Sequence, residues 1–337
     1  MSPHDTAPPP PAPGSRRRLL RWLLVAALLA LVLAVPVALW FWAASPGSLG
    51  TTLSWVQRYL EHQPPASGRL HIEHAQGSLR LGGRIALLRW TQDGLTVQAQ
   101  GVRLQWTPAL LPTLLTQRRL DIAELHADRV DITDERTPTP GDSEPPITSA
   151  ELPLGIDLPW SVDALALRGD TPIELTQLRG HYAYGQAAAL GHGHAHQLRL
   201  DSLHWADGAY QGTLVLGAPS PMPLRLQAQG QIRLAIPEGT AQDLLAELHV
   251  EGTLAHADAA LDTRLLLRQT DSDNAPAPAA LDAHARIEPW NARQPVAALQ
   301  AQLRRLNLAG LWPQAPQTAL SGQATAQASG TQWQAQV

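Results

Sequence analysis

The chain has 337 residues, a formal net charge of -4, 16% charged and 5% aromatic residues, and no cysteine. The charge excludes a globally basic field for nucleic acid, and the missing cysteines exclude disulfides, thiolate metal sites and thiol chemistry. Every basic residue is Arg.

Residues 1–15 are Pro-rich and are expected to be a disordered cytoplasmic tail. Residues 16–44 read as a transmembrane signal-anchor. Arg16, Arg17, Arg18 and Arg21 precede an uncharged apolar run from Trp22 to Ala44. As helix that run spans roughly 34 Å, enough to cross a bilayer core of about 30 Å. Trp22 at one end and Trp40 and Trp42 at the other match an interfacial aromatic belt, and the arginines place the N-terminus in the cytoplasm. A cleaved signal peptide is the rival reading, with a site near Ala43–Ala44. On the anchor reading the chain is single-pass in the inner membrane, with its bulk outside.

Residues 45–68 are expected to hold a short helix and a linker. Leu49, Leu53, Val56 and Leu60 follow a helical period, and Pro64–Pro65 end it. The helix lies either against the outer leaflet or on the first strands.

From residue 69 to 337 the period is two. Runs such as "RLHIEHA", "LTVQAQGVRLQW", "HQLRLDSLHW" and "MPLRLQAQGQIRLAI" have one apolar and one polar face. The phase slips by one at Gly101 and again at Asp201–Ser202, which predicts β-bulges that keep one face inward. The segment "TPALLPTLLTQRR" is a short Leu-rich cap. Residues 133–155 and 271–280 read as loops. About 18 strand-like runs would make one sheet on the order of 85 Å long, which must curl or split. The predicted fold is mainly β: a transmembrane helix, then an elongated, lengthwise-curled antiparallel sheet forming a groove, with short helices. The apolar wall is assigned to Leu95, Val97, Val102, Leu104, Leu198, Leu200, Leu214, Leu224, Leu226, Leu248 and Val250. A closed β-sandwich would use the same residues as core. The sequence stops within the strand array, so a longer parent chain is expected.

The chemistry-bearing motifs are few. His192, His194 and His196 alternate and would share one strand face, as metal ligands can. A polar face or a Gly-rich turn explains them as well, so no metal site is assigned. No nucleophile elbow, P-loop, dinucleotide fingerprint or HExxH motif is present. Asp131 with Asp134, and Asp271 with Asp273, read as solvated surface. No catalytic residue, enzyme activity or cofactor is therefore expected.

Three stretches carry a resemblance: "GSLRLGGRIALLRWTQDGLTVQAQGVRLQWTPALL", "RRLDIAELHADRVDI" and "ARIEPWNARQPVAALQAQLRRLNLAGLWPQAPQTALSG". With the anchor, they resemble the N-terminal part of the TamB family, AsmA-like, bridge-like lipid transfer proteins of translocation and assembly modules. The resemblance implies a β-taco spanning the periplasm, holding phospholipid acyl chains and serving outer-membrane biogenesis. It also implies a TamA-like outer-membrane barrel as partner, met through a C-terminal domain absent from this sequence. The alternative it carries is a scaffold for outer-membrane protein assembly and protein secretion.

Overall fold

The computed structural model describes residues 38, 40–62, 68–135, 147–169, 172–186, 193–234, 242–269, 280–291, 294–306, 320–329 and 332–336. The 1–15 tail and anchor residues Arg16, Arg17, Arg18, Arg21 and Trp22 lie outside them, as do residues 136–146 and 271–279 of the two predicted loops. Among the described residues no helix is long and apolar enough to cross a membrane. Residues 40–43 are helical, and two longer helices follow, α1 (Ser48–Glu61) and α2 (Leu110–Gln117).

The strands are β1 (Arg69–Ser78), β2 (Gly82–Gln92), β3 (Leu95–Trp106), β4 (Arg119–Asp134), β5 (Gly155–Arg168), β6 (Ile173–Gln186), β7 (His194–Trp205) and β8 (Gly208–Gly217). They continue as β9 (Pro223–Leu234), β10 (Gln242–Thr253), β11 (Leu261–Gln269), β12 (Ala280–Ile287), β13 (Val296–Leu306), β14 (Leu320–Ser329) and β15 (Gln332–Gln336). The expectation of about 18 runs was therefore high for the described residues. All 15 strands form one open, curled sheet in chain order. The closed sandwich is thereby replaced: the described residues hold no second sheet on the apolar face.

One pair departs from the antiparallel expectation. β4 and β5 run parallel, with Arg119 opposite Gly155 and Val130 opposite Leu165. A parallel pair needs a crossover of a dozen or more residues. The chain between Asp134 and Gly155 is long enough to return to the start of β4, where the Gly155 N–H donates to Arg118 O at 2.9 Å.

The phase slips have a structural cause. Ala99 and Val102, three residues apart on β3, both join the cluster built on Ile85, Val102 and Ala127. Between them Gly101 has φ +63°, a left-handed conformation that glycine adopts without a Cβ penalty. His74 on β1 (φ +50°) and Gln177 on β6 (φ +53°) do the same between Ile72 and Ala75 and between Leu175 and Leu178. On β7 the register shifts between Leu200 and Leu203. The slips line up across β1–β7, because flanking pairs such as Leu88↔Ala99 and Ile85↔Val102 stay in register. Each strand bends once and keeps its apolar side chains on one face.

Helix α1 packs on the first end of that face. Leu49 is buried, and Leu53 lies against the Ile85 cluster. The approach is close enough that a Cβ on Gly50 would stand 2.8 Å from Ala75 O, and one on Gly83 would stand 2.7 Å from Leu49 Cδ2. Buried Ser48 locks the entry: its Oγ accepts the Leu79 N–H at 3.0 Å and lies 2.9 Å from Ala43 O. Val56, expected on the packed side, is exposed, as are Trp55 and Tyr59.

Candidate functional site: an apolar face on an open sheet

Facing residues of neighbouring strands share a side of the sheet. One row is therefore traceable by register from Gly83 on β2 to Ala324 on β14. It runs Gly83, Leu104, Leu125, Trp160, Gly180, Leu200, Gly212, Ala228, Leu248, Leu265, Ala283, Ala301 and Ala324. The next row holds Leu198, Leu214, Leu226 and Val250, continuing through Thr263 and Ala285 to Leu299. Leu224 lies opposite Leu216, one step along. Val102 faces Ile85, and past the slip Val97 faces Ile132. Leu95 stands at the strand end between Gln92 and Asp134. All eleven residues assigned to the wall thus lie on a single face.

That face is aliphatic and small-residue-rich, and it is only partly covered. Val102 and Val250 are buried, Leu198 is 37% exposed, and the others are half-buried. Glycine keeps it smooth: Gly180 leaves room for the Trp160 ring, whose Cζ2 would stand 2.7 Å from a Cβ there.

One residue out of phase, the opposite face is polar. Arg199, Thr213, Gln227, His249, Arg264, His284 and Gln300 form a matching row. Arg–carboxylate pairs cross it, including Arg264–Asp282 at 2.7 Å, Arg233–Asp243 at 2.9 Å and Arg268–Glu247. The hydrogen bonds from Arg264 and Arg233 hold the Asp282 and Asp243 carboxyls below the usual carboxylate range. A hollow of about 490 Å³ opens among Arg199, Asp201, Gln227 and His249. It is a valley between long side chains, not the apolar wall.

His194 and His196 fall on the apolar side, where sequence reading left a metal role open. Tyr184 stacks on His194 with ring centroids 5.7 Å apart. His196 is satisfied by protein groups: Nδ1 lies 2.8 Å from Tyr182 Oη and Nε2 lies 2.6 Å from Ala150 O. Nε2–H donates to the carbonyl, so Nδ1 accepts from the Tyr182 hydroxyl. Burial pushes the Tyr182 phenol up from its ordinary value. Tyr184 Oη accepts the Leu152 N–H at 3.0 Å, and Ala150 N–H donates to Ala218 O at 2.9 Å. His196 and Tyr184 thus pin residues 150–152 across the strand ends of β6–β8. His192 lies outside the described residues.

At the other end, Trp40 and Trp42 are 40% and 39% exposed, and Arg80 sits over the Trp40 ring at 4.2 Å. Phe41 and the hairpin-tip Leu81 are more exposed still.

Sequence reading missed a polar group on β4 and β5. His126, Asp128, Ser161 and Asp163 meet there. Their positions, 35 residues apart, carry no joint signal until the parallel pairing is known.

Comparison with known proteins bears on the same residues. The family model described as "TamB, N-terminal domain" matches residues 37–211, a little over half of the chain. The match covers α1, α2, β1 through β7 and the start of β8, and it ends before the third stretch behind the resemblance, Ala285–Gly322. No curated protein and no solved structure matches the chain.

Proposed function

The chain belongs to the TamB N-terminal domain family, and from that premise we propose that it forms the inner-membrane end of a periplasmic bridge that conducts phospholipids toward the outer membrane. The observation carrying this reading is the apolar row, followed by register across thirteen strands of a sheet that, among the described residues, no second sheet covers. Acyl chains lie along Leu104, Leu200, Leu226 and Leu248, and headgroups protrude at the open side. Each CH₂ removed from water contributes about 0.8 kcal/mol, so a chain is held by area rather than by specific contacts. Such a wall lets lipid slide. The chain is not an enzyme on this reading. Residues 16–44 anchor it in the inner membrane, and a TamA-like barrel receives the bridge through a C-terminal domain.

The test is a charge in the row. Leu226→Glu faces Leu214 and Val250 and should stop phospholipid delivery in cells, while Gln227→Glu, on the other face, should not. Equal effects of the two, or none, would sink the conduit. One observation favours a second reading, a scaffold for outer-membrane protein assembly. Among the described residues strand β1 pairs with β2 alone, and an open edge templates incoming strands. A scaffold tolerates Leu226→Glu and fails when the β1 edge is blocked.

A further inference from the structure

We propose that the polar face carries a divalent-cation site at the parallel joint of β4 and β5, formed by His126, Asp128 and Asp163 and selective for a zinc-class ion. The register sets it up. His126 lies opposite Ser161 and Ala127 opposite Val162, which brings Asp128 beside Asp163 at the line of phase slips.

The geometry is that of a ligand set. His126 Nε2 is 3.1 Å from Asp128 Oδ1 and 3.6 Å from Asp163 Oδ2. With metal–ligand bonds of about 2.1 Å, the edge of a tetrahedral site is about 3.4 Å, which the two distances bracket. One ligand atom from each of the three residues falls within 4.8 Å of the others.

The second observation is the other side of the imidazole. Ser161 Oγ is 2.8 Å from His126 Nδ1. When Nδ1–H donates to that hydroxyl, the Nε2 lone pair faces two carboxylate oxygens. In that tautomer a cation between the three acceptor atoms would remove their mutual repulsion. Orientation of a ligating histidine through its far nitrogen is the usual second-shell device of metal sites. The His126 side chain is 13% exposed, so its ring is held in place.

Entry and selectivity follow. The carboxylates are 55% and 67% exposed, and a hollow of about 550 Å³ lined by Gly101, Arg103 and Asp128 opens beside them. Arg103 also binds Asp128 Oδ1, at 2.9 Å, and steadies that carboxylate from the side. One imidazole with two carboxylates and no thiolate suits zinc or its neighbours rather than calcium. The ion would clamp β4 to β5 on the face away from the apolar wall, so the site does not depend on the lipid reading.

The test uses the full chain in detergent, without a histidine tag, dialysed against micromolar Zn²⁺ and assayed for bound metal. Wild type should retain about one zinc per chain and melt higher with zinc than without. Asp163→Asn should lose both effects, while His249→Gln, an exposed histidine of the same face, should keep them. Asp163 is exposed, so its variant should fold, and circular dichroism checks that. Absence of bound zinc in wild type, or zinc unaffected by Asp163→Asn, overturns the site. The contact at Nε2 is then an ordinary hydrogen bond to Asp128.

Discussion

The Asp128 carboxylate occupies the space that a side chain on Gly101 would need. A Cβ built on Gly101 overlaps Asp128 Oδ2, and the left-handed φ at Gly101 is itself unfavourable for other residues. The two residues sit on neighbouring strands at the line where the apolar face changes phase. The pair therefore couples the bend of β3 to the polar cluster on β4. Gly101→Val should destabilise the chain by about 2 kcal/mol or more, read as a lower denaturation midpoint. A midpoint within error of wild type would mean that the bend does not depend on this glycine.

Docking of α1 depends on close approach. Gly50→Val places its side chain against Ala75 O and should lift the helix from β1. The expected outcome is faster proteolysis before Arg69, with the sheet intact by circular dichroism. Wild-type resistance would show that Leu49 and Leu53 hold the helix without that contact.

The His196 contacts pin the segment before β5. His196→Phe removes the bonds to Ala150 O and Tyr182 Oη. The loss should be about 1 kcal/mol, with faster hydrogen exchange at Ala150 and Leu152. Unchanged exchange there would show that the Ala150–Ala218 bond suffices.

The pH dependence has a definite sign. The Asp282 and Asp243 carboxyls are held below their ordinary value by Arg264 and Arg233. A carboxyl depressed in the folded state stabilises the fold above its unfolded pKa, and that contribution is lost as pH falls through the folded pKa. Stability should therefore fall only below about pH 4, and Asp282→Asn should shrink the fall. The effect should be small, since exposed ion pairs contribute little. A loss of stability centred near pH 6 would point to histidines instead.

Much of the sheet was legible in the sequence because a strand writes its two faces into alternate residues. The Leu198–Leu214–Leu226–Val250 row needed only that period. The slip at Gly101 was visible because Val97 and Val102 fall out of phase around a glycine. Those at His74 and Gln177 were not read, since no glycine marks either position. The parallel β4–β5 joint was not legible, because a Pro-rich connector states its length but not where it returns. His126, Ser161 and Asp163 stayed invisible for the same reason. Val56 was placed on the packed side of α1 by its period, yet the sheet reaches only as far around the helix as Leu49 and Leu53.

The central claim is that the apolar face is an open wall for lipid tails. Its most direct test is photo-crosslinking in cells with the crosslinker at Leu226, compared with Gln227 on the opposite face, followed by mass analysis. The account predicts phospholipid adducts at Leu226 and none at Gln227. Adducts at Leu226 only to other strands of the chain, or equal lipid labelling at both positions, would contradict it.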